Sequence, residues 1–165
     1  MRFSCLLLSA AIALGASGCG KSSGSGDGAA ASVEDAFRDR SDAEVSADLA
    51  AAKEKARNEG KRVLLEFVAP WCQDCREVAR LAAEEPAASA LRELYVVVPV
   101  NVGRFDRNKA LLREHGIKLI AALVVLDADG KTIAKTTLEP ITGKKKGLTS
   151  EDLAAWLRSP RRTDP

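Results

Sequence analysis

The sequence predicts an α/β domain in which a mixed sheet of about four strands carries helices on both faces. Three observations support this fold class. Two short apolar runs, residues 62–69 and 94–100, are typical of buried strands. The stretch between them has helical spacing, which implies a parallel pair with a right-handed crossover. A third apolar run and its partner flank residues 127–130, a turn sequence that predicts an antiparallel hairpin.

Helices are predicted before and between these strands. The first covers residues 42–58 and ends at Gly60. Its predicted inward face consists of Val45, Leu49, Ala52 and Ala56. A second helix covers residues 73–84 and ends before Pro86, because proline cannot continue a helix. A further short helix is expected over residues 87–93.

The rest of the chain completes the pattern. A helix is predicted over residues 106–115, with Ala110 and Leu111 facing the core. The third strand, residues 119–126, pairs with residues 131–138 across the hairpin turn. A final helix follows, opened by a sequence with the form of a capping box.

Composition and charge exclude several classes of protein. The 165 residues have room for one domain plus a targeting segment. With 25 basic and 23 acidic residues the net charge is +2, so we expect no nucleic-acid partner. No interior apolar run approaches the roughly 18 residues that a spanning helix needs.

The N-terminus predicts export. Residues 1–18 have the layout of a signal peptide, with a positive start, an apolar run and small residues at the end. Residues 16–19 resemble a bacterial lipobox, in which the cysteine, here Cys19, becomes the lipidated first residue of the mature protein. Lipoboxes prefer leucine where this chain has Ala16. The alternative is an ordinary signal peptide cut near Ala16 or Gly18, with Cys19 incidental.

The segment after Cys19 is rich in Gly, Ser and Ala and cannot bury enough apolar surface to order itself. We therefore expect a signal peptide over residues 1–18, lipidated Cys19 with a flexible tether over 19–40, a domain over 41–160 and a tail over 161–165. The predicted location is the periplasm, with a lipid anchor in a bacterial membrane. Gly20, directly after the cysteine, resembles the outer-membrane sorting pattern and favours that membrane.

Cys72 and Cys75 form a Cys-x-x-Cys pair between a predicted strand and a predicted helix. At a helix N-terminus, free N–H groups and the helix dipole stabilise a thiolate, which is the attacking species. The spacing lets Cys75 reach back across one turn and resolve a mixed disulfide. Because Cys5 and Cys19 belong to the targeting segment, no cysteine remains for a structural disulfide framework.

The run VLLEFVAPWCQDC, residues 63–75, resembles the active-site strand and turn of the thioredoxin superfamily. The similarity extends from about residue 42 to residue 157 and includes residues 101–103. It is similar to periplasmic thiol reductase domains of the DsbD C-terminal type and to small thioredoxin-like lipoproteins. The resemblance implies a thioredoxin-like three-layer fold and a monomer without cofactors. It also implies protein thiols and disulfides as partners, with a membrane thiol reductase among them.

The resemblance also assigns roles to individual residues. Cys72 is the nucleophile and Cys75 the buried resolving thiol, and the two form the redox-active disulfide. Trp71 covers the site and, with Ile120 and Ala121, contacts the substrate. No metal ligand is assigned.

Glu66 falls where the family keeps a buried acid beneath the second cysteine. A desolvated carboxylate there has a raised pKa and accepts the proton of Cys75. The alternative is an acid at the sheet edge that points to solvent. Alternation favours burial, because Glu66 shares its strand face with Leu64 and Val68, which are apolar.

Ala121 departs from the family pattern. The family has a cis-proline at this position, and its backbone helps to hold the substrate. A cis peptide bond costs about 3–4 kcal/mol before a residue other than proline, against about 0.5–1 kcal/mol before proline. The loop is therefore either trans and reshaped or cis at that cost, and we expect weaker substrate docking.

Three functions fit these residues. The first is a thiol–disulfide oxidoreductase, predicted to reduce protein disulfides. Asp74 opposes the Cys72 thiolate and favours a more reducing pair, whereas Arg76 acts in the opposite direction, so these charges do not assign the direction of electron flow. The second, suggested by Ala121, is a binding or chaperone module with a structural disulfide and little catalysis. The third is metal handling, which ranks last because two thiolates fill half of a zinc tetrahedron. The single histidine, His115, is assigned no catalytic role.

Overall fold

The structure is a computed structural model that describes residues 33–137 and 147–161. The predictions for the signal peptide, for Cys19 and for most of the tether lie outside the described residues. The helices of the described part are α1 (Val33–Ala36), α2 (Asp42–Glu59), α3 (Gln73–Ala82), α4 (Ala87–Leu94), α5 (Lys109–Glu114) and α6 (Ser150–Arg158). Its strands are β1 (Arg62–Val68), β2 (Tyr95–Asn101), β3 (Ala122–Leu126) and β4 (Thr132–Thr137).

The four strands form one mixed sheet in the order β2-β1-β3-β4. β1 is parallel to β2 and antiparallel to β3, and β3 forms an antiparallel hairpin with β4. Every residue from 63 to 68 of β1 is buried, although successive side chains point to opposite faces. Both faces of the sheet are therefore covered, and the predicted fold class is confirmed.

α2 packs on β1 and β2. It begins at a capping box in which the Ser41 hydroxyl accepts from the Glu44 N–H, while the Glu44 carboxylate accepts from the Ser41 N–H. It ends at Gly60, whose φ of 66° is the left-handed conformation that glycine adopts without steric cost. The buried residues of α2 are the four that the periodicity predicts: Val45, Leu49, Ala52 and Ala56.

α3, α4 and α6 contact one another. The Ser150 hydroxyl, at the start of α6, donates to the Glu84 carbonyl and accepts from the Ala87 N–H. One side chain thus ties the beginning of α6 to the junction between α3 and α4. The predicted capping box is confirmed, with Thr149 as the N-cap and Asp152 as its partner.

Two predicted boundaries are wrong. α5 begins at Lys109 instead of residue 106, because Asn108 has a positive φ of 49° and cannot lie within a helix. The shorter helix buries Leu112 and leaves Ala110 exposed. β3 begins at Ala122 instead of residue 119, and Leu119 is 61% exposed rather than buried in the sheet.

The packed domain includes residues from the range 19–40 that the sequence analysis assigns to a tether. Ala36 is buried, and the guanidinium of Arg40 is paired with Asp35 at 2.9 Å and Asp48 at 3.6 Å. Asn101, the last residue of β2, donates to the Phe37 carbonyl at 3.4 Å. Among the described residues, no helix combines the length and the apolar character needed to cross a membrane.

Candidate active site

The sheet brings three loops to one edge. Because β1 and β2 are parallel, Val68 and Asn101 lie opposite each other where both strands end. β3 is antiparallel and begins at the same edge, where Ala122 lies opposite Phe67. The residues after β1, after β2 and before β3 therefore surround one point, and the cysteine pair lies in the first of these loops.

Cys72 is the N-cap of α3. Its N–H donates to the Ala69 carbonyl at 3.0 Å, closing a tight turn directly after β1. Its Sγ atom accepts the N–H of Cys75 at 3.0 Å. This sulfur therefore lies at the positive end of the helix, where a free N–H group stabilises a thiolate.

Cys72 and Cys75 are joined by a disulfide, with their Cα atoms 5.3 Å apart. The two cysteines differ in exposure, at 5% for Cys72 and 1% for Cys75. The more accessible cysteine is the one at the helix N-terminus, which is the arrangement an attacking and a resolving residue require.

Glu66 is buried in the middle of β1, between Pro99 of β2 and Leu123 of β3. Burial raises the pKa of its carboxyl group to about 7. No hydrogen bond or ion pair to another described residue offsets this desolvation. The alternative of a solvent-facing acid is therefore wrong, and Glu66 is a carboxyl group able to gain or lose a proton near neutral pH.

Trp71 is 51% exposed and lies directly before Cys72. Its indole N–H donates to the Gly103 carbonyl at 2.8 Å, so the loop after β2 holds the ring. Leu119, in the loop before β3, is a second exposed apolar side chain at this edge. The site thus presents apolar surface to solvent near the sulfurs, which is suited to binding a polypeptide.

Ala121 lies in the third loop and is buried, whereas Ile120 is half-buried. The Ile120–Ala121 peptide bond is cis. Of the two alternatives that the sequence left open for this loop, the structure has the cis form.

Two charged residues, Asp74 and Arg76, lie beside the cysteine pair at the start of α3. Asp74 is exposed in the first turn, between the two cysteines. The guanidinium of Arg76 donates to the Pro70 carbonyl at 2.5 Å and so braces the turn that carries Cys72. Asp74 disfavours a thiolate at Cys72, whereas Arg76 favours it.

His115 is not part of the cysteine site. It is buried against Phe67, and its Nδ1 atom lies 3.0 Å from the Thr132 hydroxyl. Burial lowers the pKa of this imidazole, so it is neutral near pH 7. Within the part of the chain that the structure describes, no cluster of three or more His, Cys, Asp or Glu residues is arranged to hold a metal ion.

Two features of the site are absent from the sequence predictions, namely the Gly103 carbonyl as the partner of Trp71 and the exposure of Leu119. Gly103 could have been found as a candidate, because a glycine two residues after an apolar strand lies at the same sheet edge as the cysteines. Leu119 carried no signal, because a single leucine beside a strand is usually buried with it.

Comparison with known proteins agrees with this geometry. Residues 44–128 match a family model described as thioredoxin-like. A thioredoxin from Porphyra purpurea is 30% identical over 105 residues, which cover 58% of this chain and 90% of that protein. A thioredoxin from Pyropia yezoensis is 33% identical over 79 residues, covering 48% of this chain and 69% of that protein.

Solved structures show the same fold. A disulphide isomerase from Xylella fastidiosa Temecula1 superposes with a TM-score of 0.64 at 26% identity, covering 74% of this chain and 95% of the other. The oxidised C-terminal domain of Neisseria meningitidis DsbD superposes with a TM-score of 0.53 at 21% identity, covering 76% and 98%.

Fold and site together define a protein with a thiol–disulfide oxidoreductase fold and a Cys-x-x-Cys pair at disulfide distance. The chain belongs to the thioredoxin-like family, within the thioredoxin superfamily.

Proposed function

We propose that this protein is an extracytoplasmic thiol–disulfide oxidoreductase that reduces protein disulfides. The observation that carries the proposal is the position of Cys72, whose sulfur caps α3 and accepts the N–H of Cys75 at 3.0 Å. A thiolate at this position keeps the same hydrogen bond, so the reduced pair is prepared for nucleophilic attack.

The first step uses the reduced pair. The Cys72 thiolate attacks one sulfur of a substrate disulfide, the substrate S–S bond breaks, and the departing sulfur leaves as a thiolate that takes a proton from water. The product is a mixed disulfide between Cys72 and the substrate. The exposed apolar side chains of Trp71 and Leu119 support binding of the substrate polypeptide at this stage.

The second step releases the substrate. The thiol of Cys75 gives its proton to the Glu66 carboxylate, and the resulting thiolate attacks the Cys72 sulfur. The S–S bond between Cys72 and the substrate breaks as the Cys72–Cys75 bond forms, and the departing substrate sulfur takes up a proton from water. The substrate is then a dithiol, reduced by two electrons, and the Cys72–Cys75 disulfide remains. A Glu66 pKa of about 7 suits this transfer, because near pH 7 both forms of the carboxyl group are present.

The direction of electron flow is proposed from Asp74, which lies between the two cysteines, although Arg76 acts in the opposite direction. Asp74 places a negative charge between the cysteines and disfavours the Cys72 thiolate. A less stable reduced form gives up its electrons more readily, as in a reductase. The pair then needs a second thiol donor to return it to the reduced state, and a membrane thiol reductase is the proposed partner.

The location is proposed from the N-terminal sequence. A signal peptide over residues 1–18 and lipidation at Cys19 attach the domain to a bacterial membrane on its periplasmic side. Disulfides persist in that compartment, so a reductase there finds substrates.

The reduction potential tests the proposal. Purified full-length protein is equilibrated in graded thiol–disulfide buffers, and the free thiols are trapped with an alkylating reagent and counted by mass. We expect a reversible two-thiol transition near the thioredoxin value of about −270 mV. A transition near the DsbA value of about −120 mV would make the protein an oxidant.

The second candidate is a binding or chaperone module, and it is favoured by Ala121 in place of the family proline. In that case the disulfide is structural, and Cys72→Ser leaves the cellular phenotype unchanged. Absence of any reversible transition in the same titration would select this alternative.

A further inference from the structure

The loop of residues 102–108, which connects β2 to α5, contains a group of buried polar contacts beside the cysteine site. Asn101 directly precedes the loop, and Asn108 is its last residue. Both are buried, with exposed fractions of 5% and 2%. Buried amide groups have to find hydrogen-bond partners in the protein, so their contacts fix the surrounding backbone.

Asn101 closes the first part of the loop. Its side-chain oxygen accepts the Gly103 N–H at 2.9 Å. The Asn101 backbone carbonyl accepts the side-chain N–H of Asn108 at 2.8 Å, which brings the two ends of the loop together. The loop is therefore held by these side chains together with two backbone hydrogen bonds, from the Val102 N–H to the Val68 carbonyl and from the Arg107 N–H to the Val102 carbonyl.

Gly103 is fixed within this arrangement. It has a φ of 59°, and an added Cβ atom would collide with the Asp106 carboxylate, which accepts the Arg104 N–H at 2.8 Å. The position therefore requires glycine. Its N–H is held by Asn101, and its carbonyl accepts the Trp71 indole N–H.

A second set of contacts joins the loop to residues 37–42, which we call the 37–42 segment. The Asp42 carboxylate accepts the Asn108 N–H at 2.9 Å, and Arg107 is paired with Asp39. The side-chain N–H of Asn101 donates to the Phe37 carbonyl. The segment thus contacts the loop at two points and Asn101, the residue before the loop, at a third.

We propose that Asn101 is a positioning residue for disulfide exchange: through Gly103 it fixes the Trp71 ring beside Cys72, and the 37–42 segment holds the loop in place for this task. This inference rests on the proposed function, since it concerns how the protein substrate is received at that site. The Trp71 ring is half-exposed, and its indole N–H is hydrogen-bonded to the Gly103 carbonyl. A shift of Gly103 would therefore move the exposed ring that contacts a polypeptide.

Asn101→Ala removes the acceptor for the Gly103 N–H and the donor to the Phe37 carbonyl. We expect the KM for a protein disulfide to rise about fivefold, the effect of losing the one hydrogen bond that holds Gly103, with kcat for a small aromatic disulfide unchanged. We also expect the fluorescence emission of Trp71 to shift to longer wavelength and to be quenched more strongly by acrylamide. The spectrum of Trp71→Phe gives the emission of Trp156 alone, so the difference is the contribution of Trp71. Trp156 is buried and supplies a constant background.

Tyr95→Phe is the matched control. It lies at the other end of β2 and removes the two hydrogen bonds of the Tyr95 hydroxyl, one to the Leu157 carbonyl at 2.6 Å and one with the Arg62 side chain. We expect it to change stability without changing KM or the Trp71 emission. An equal effect of both variants would overturn the proposal.

Asp42 provides a second pair of variants in case Asn101→Ala does not fold. Asp42 is exposed, so Asp42→Ala removes the acceptor for Asn108 at little risk to the core, whereas Asp42→Asn keeps a side-chain oxygen. We expect Asp42→Ala to shift the Trp71 emission and raise KM, and Asp42→Asn to do neither. Unchanged emission and KM in a folded Asp42→Ala protein would overturn the role of the 37–42 segment.

The two proposals fail in different ways. If the parent protein reduces neither disulfide, the proposed function is wrong, but the fluorescence comparison still tests the positioning because it requires no turnover. If the parent is active and Asn101→Ala leaves both KM and Trp71 emission unchanged, the positioning role is wrong and the proposed function stands.

Discussion

The Sγ atom of Cys72 and the backbone N–H of Cys75 are 3.0 Å apart, so the residue proposed to resolve the mixed disulfide also donates a hydrogen bond to the sulfur proposed to attack. This contact exists because Cys72 occupies the N-cap position of α3, which leaves the N–H groups of the first turn without helical partners. A side chain that accepts such an N–H is stabilised when it is negatively charged. The contact explains why the two cysteines are expected to behave differently in exchange.

Cys75→Ser should trap the substrate. The variant keeps the attacking thiolate but cannot resolve the mixed disulfide, so we expect a covalent complex between Cys72 and a disulfide-containing protein, detected by mass and released by a strong reductant. Cys72→Ser is the control and should form no such complex. A complex of equal yield with Cys72→Ser would show that Cys75 is the attacking residue.

Glu66→Gln should change stability in a pH-dependent way. The carboxyl pKa rises on folding from 4.5 to about 7, so between these values the native state binds more protons than the unfolded state and stability falls as pH rises. The shift corresponds to about 3 kcal/mol at pH 8. We therefore expect Glu66→Gln to be more stable than the parent at pH 8 by an amount of this order, and the advantage to disappear at pH 4.

Denaturant unfolding at the two pH values measures this difference, and the rate of mixed-disulfide resolution measures the catalytic role. We expect resolution to slow by about a hundredfold, as is typical for loss of a general base. A variant with wild-type resolution at pH 7 would remove Glu66 from the proposed mechanism, even if its stability changes as expected.

His115→Gln should remove an acid-sensitive contribution to stability. Burial lowers the pKa of His115 below 6.5, so the unfolded state binds more protons and the native state loses stability as pH falls through 6.5. Glu114 opposes this shift, and Lys53 and Lys135 add to it. We expect the stability of the parent relative to the variant to decrease between pH 7.5 and pH 5, measured by urea unfolding. A constant difference across that range would contradict a buried neutral imidazole.

Cys19→Ala should abolish lipid attachment. If Cys19 is the lipidated residue, cells fed labelled palmitate should label the parent protein and not the variant, and the variant should leave the membrane fraction. Cys5→Ala is the matched control, because Cys5 lies within the predicted signal peptide. Label retained by Cys19→Ala would favour the ordinary signal peptide.

Much of the fold could be predicted because its signals are local. The apolar spacing of α2 identified its four buried residues, and Gly130, with a φ of 91°, lies in the hairpin turn where a glycine was expected. Each of these features depends on a few neighbouring residues. The same is true of the cysteine pair, whose spacing and position after a strand already implied the chemistry.

The loops could not be predicted in the same way. The six residues of α5 are too few for a periodic pattern, and its first residue is set by the positive φ of Asn108. In that conformation Asn108 contacts Asp42 and Asn101. Asp42 is distant in sequence, and Asn101 is the last residue of an apolar strand, so neither contact could be read from the neighbours of Asn108. The burial of Glu66 was predicted correctly because the other residues on its face of β1 are apolar. The exposure of Leu119 could not be predicted from its neighbours in sequence.

The contacts of the 37–42 segment also bear on how the domain would face a membrane. This segment contacts the loop that holds Trp71, at the end of the sheet where the cysteines also lie. If Cys19 carries the lipid, the thirteen residues 20–32 set an upper limit of about 45 Å on the distance between the anchor and the described domain. We then expect the sulfurs to lie within reach of a thiol donor embedded in the same bilayer.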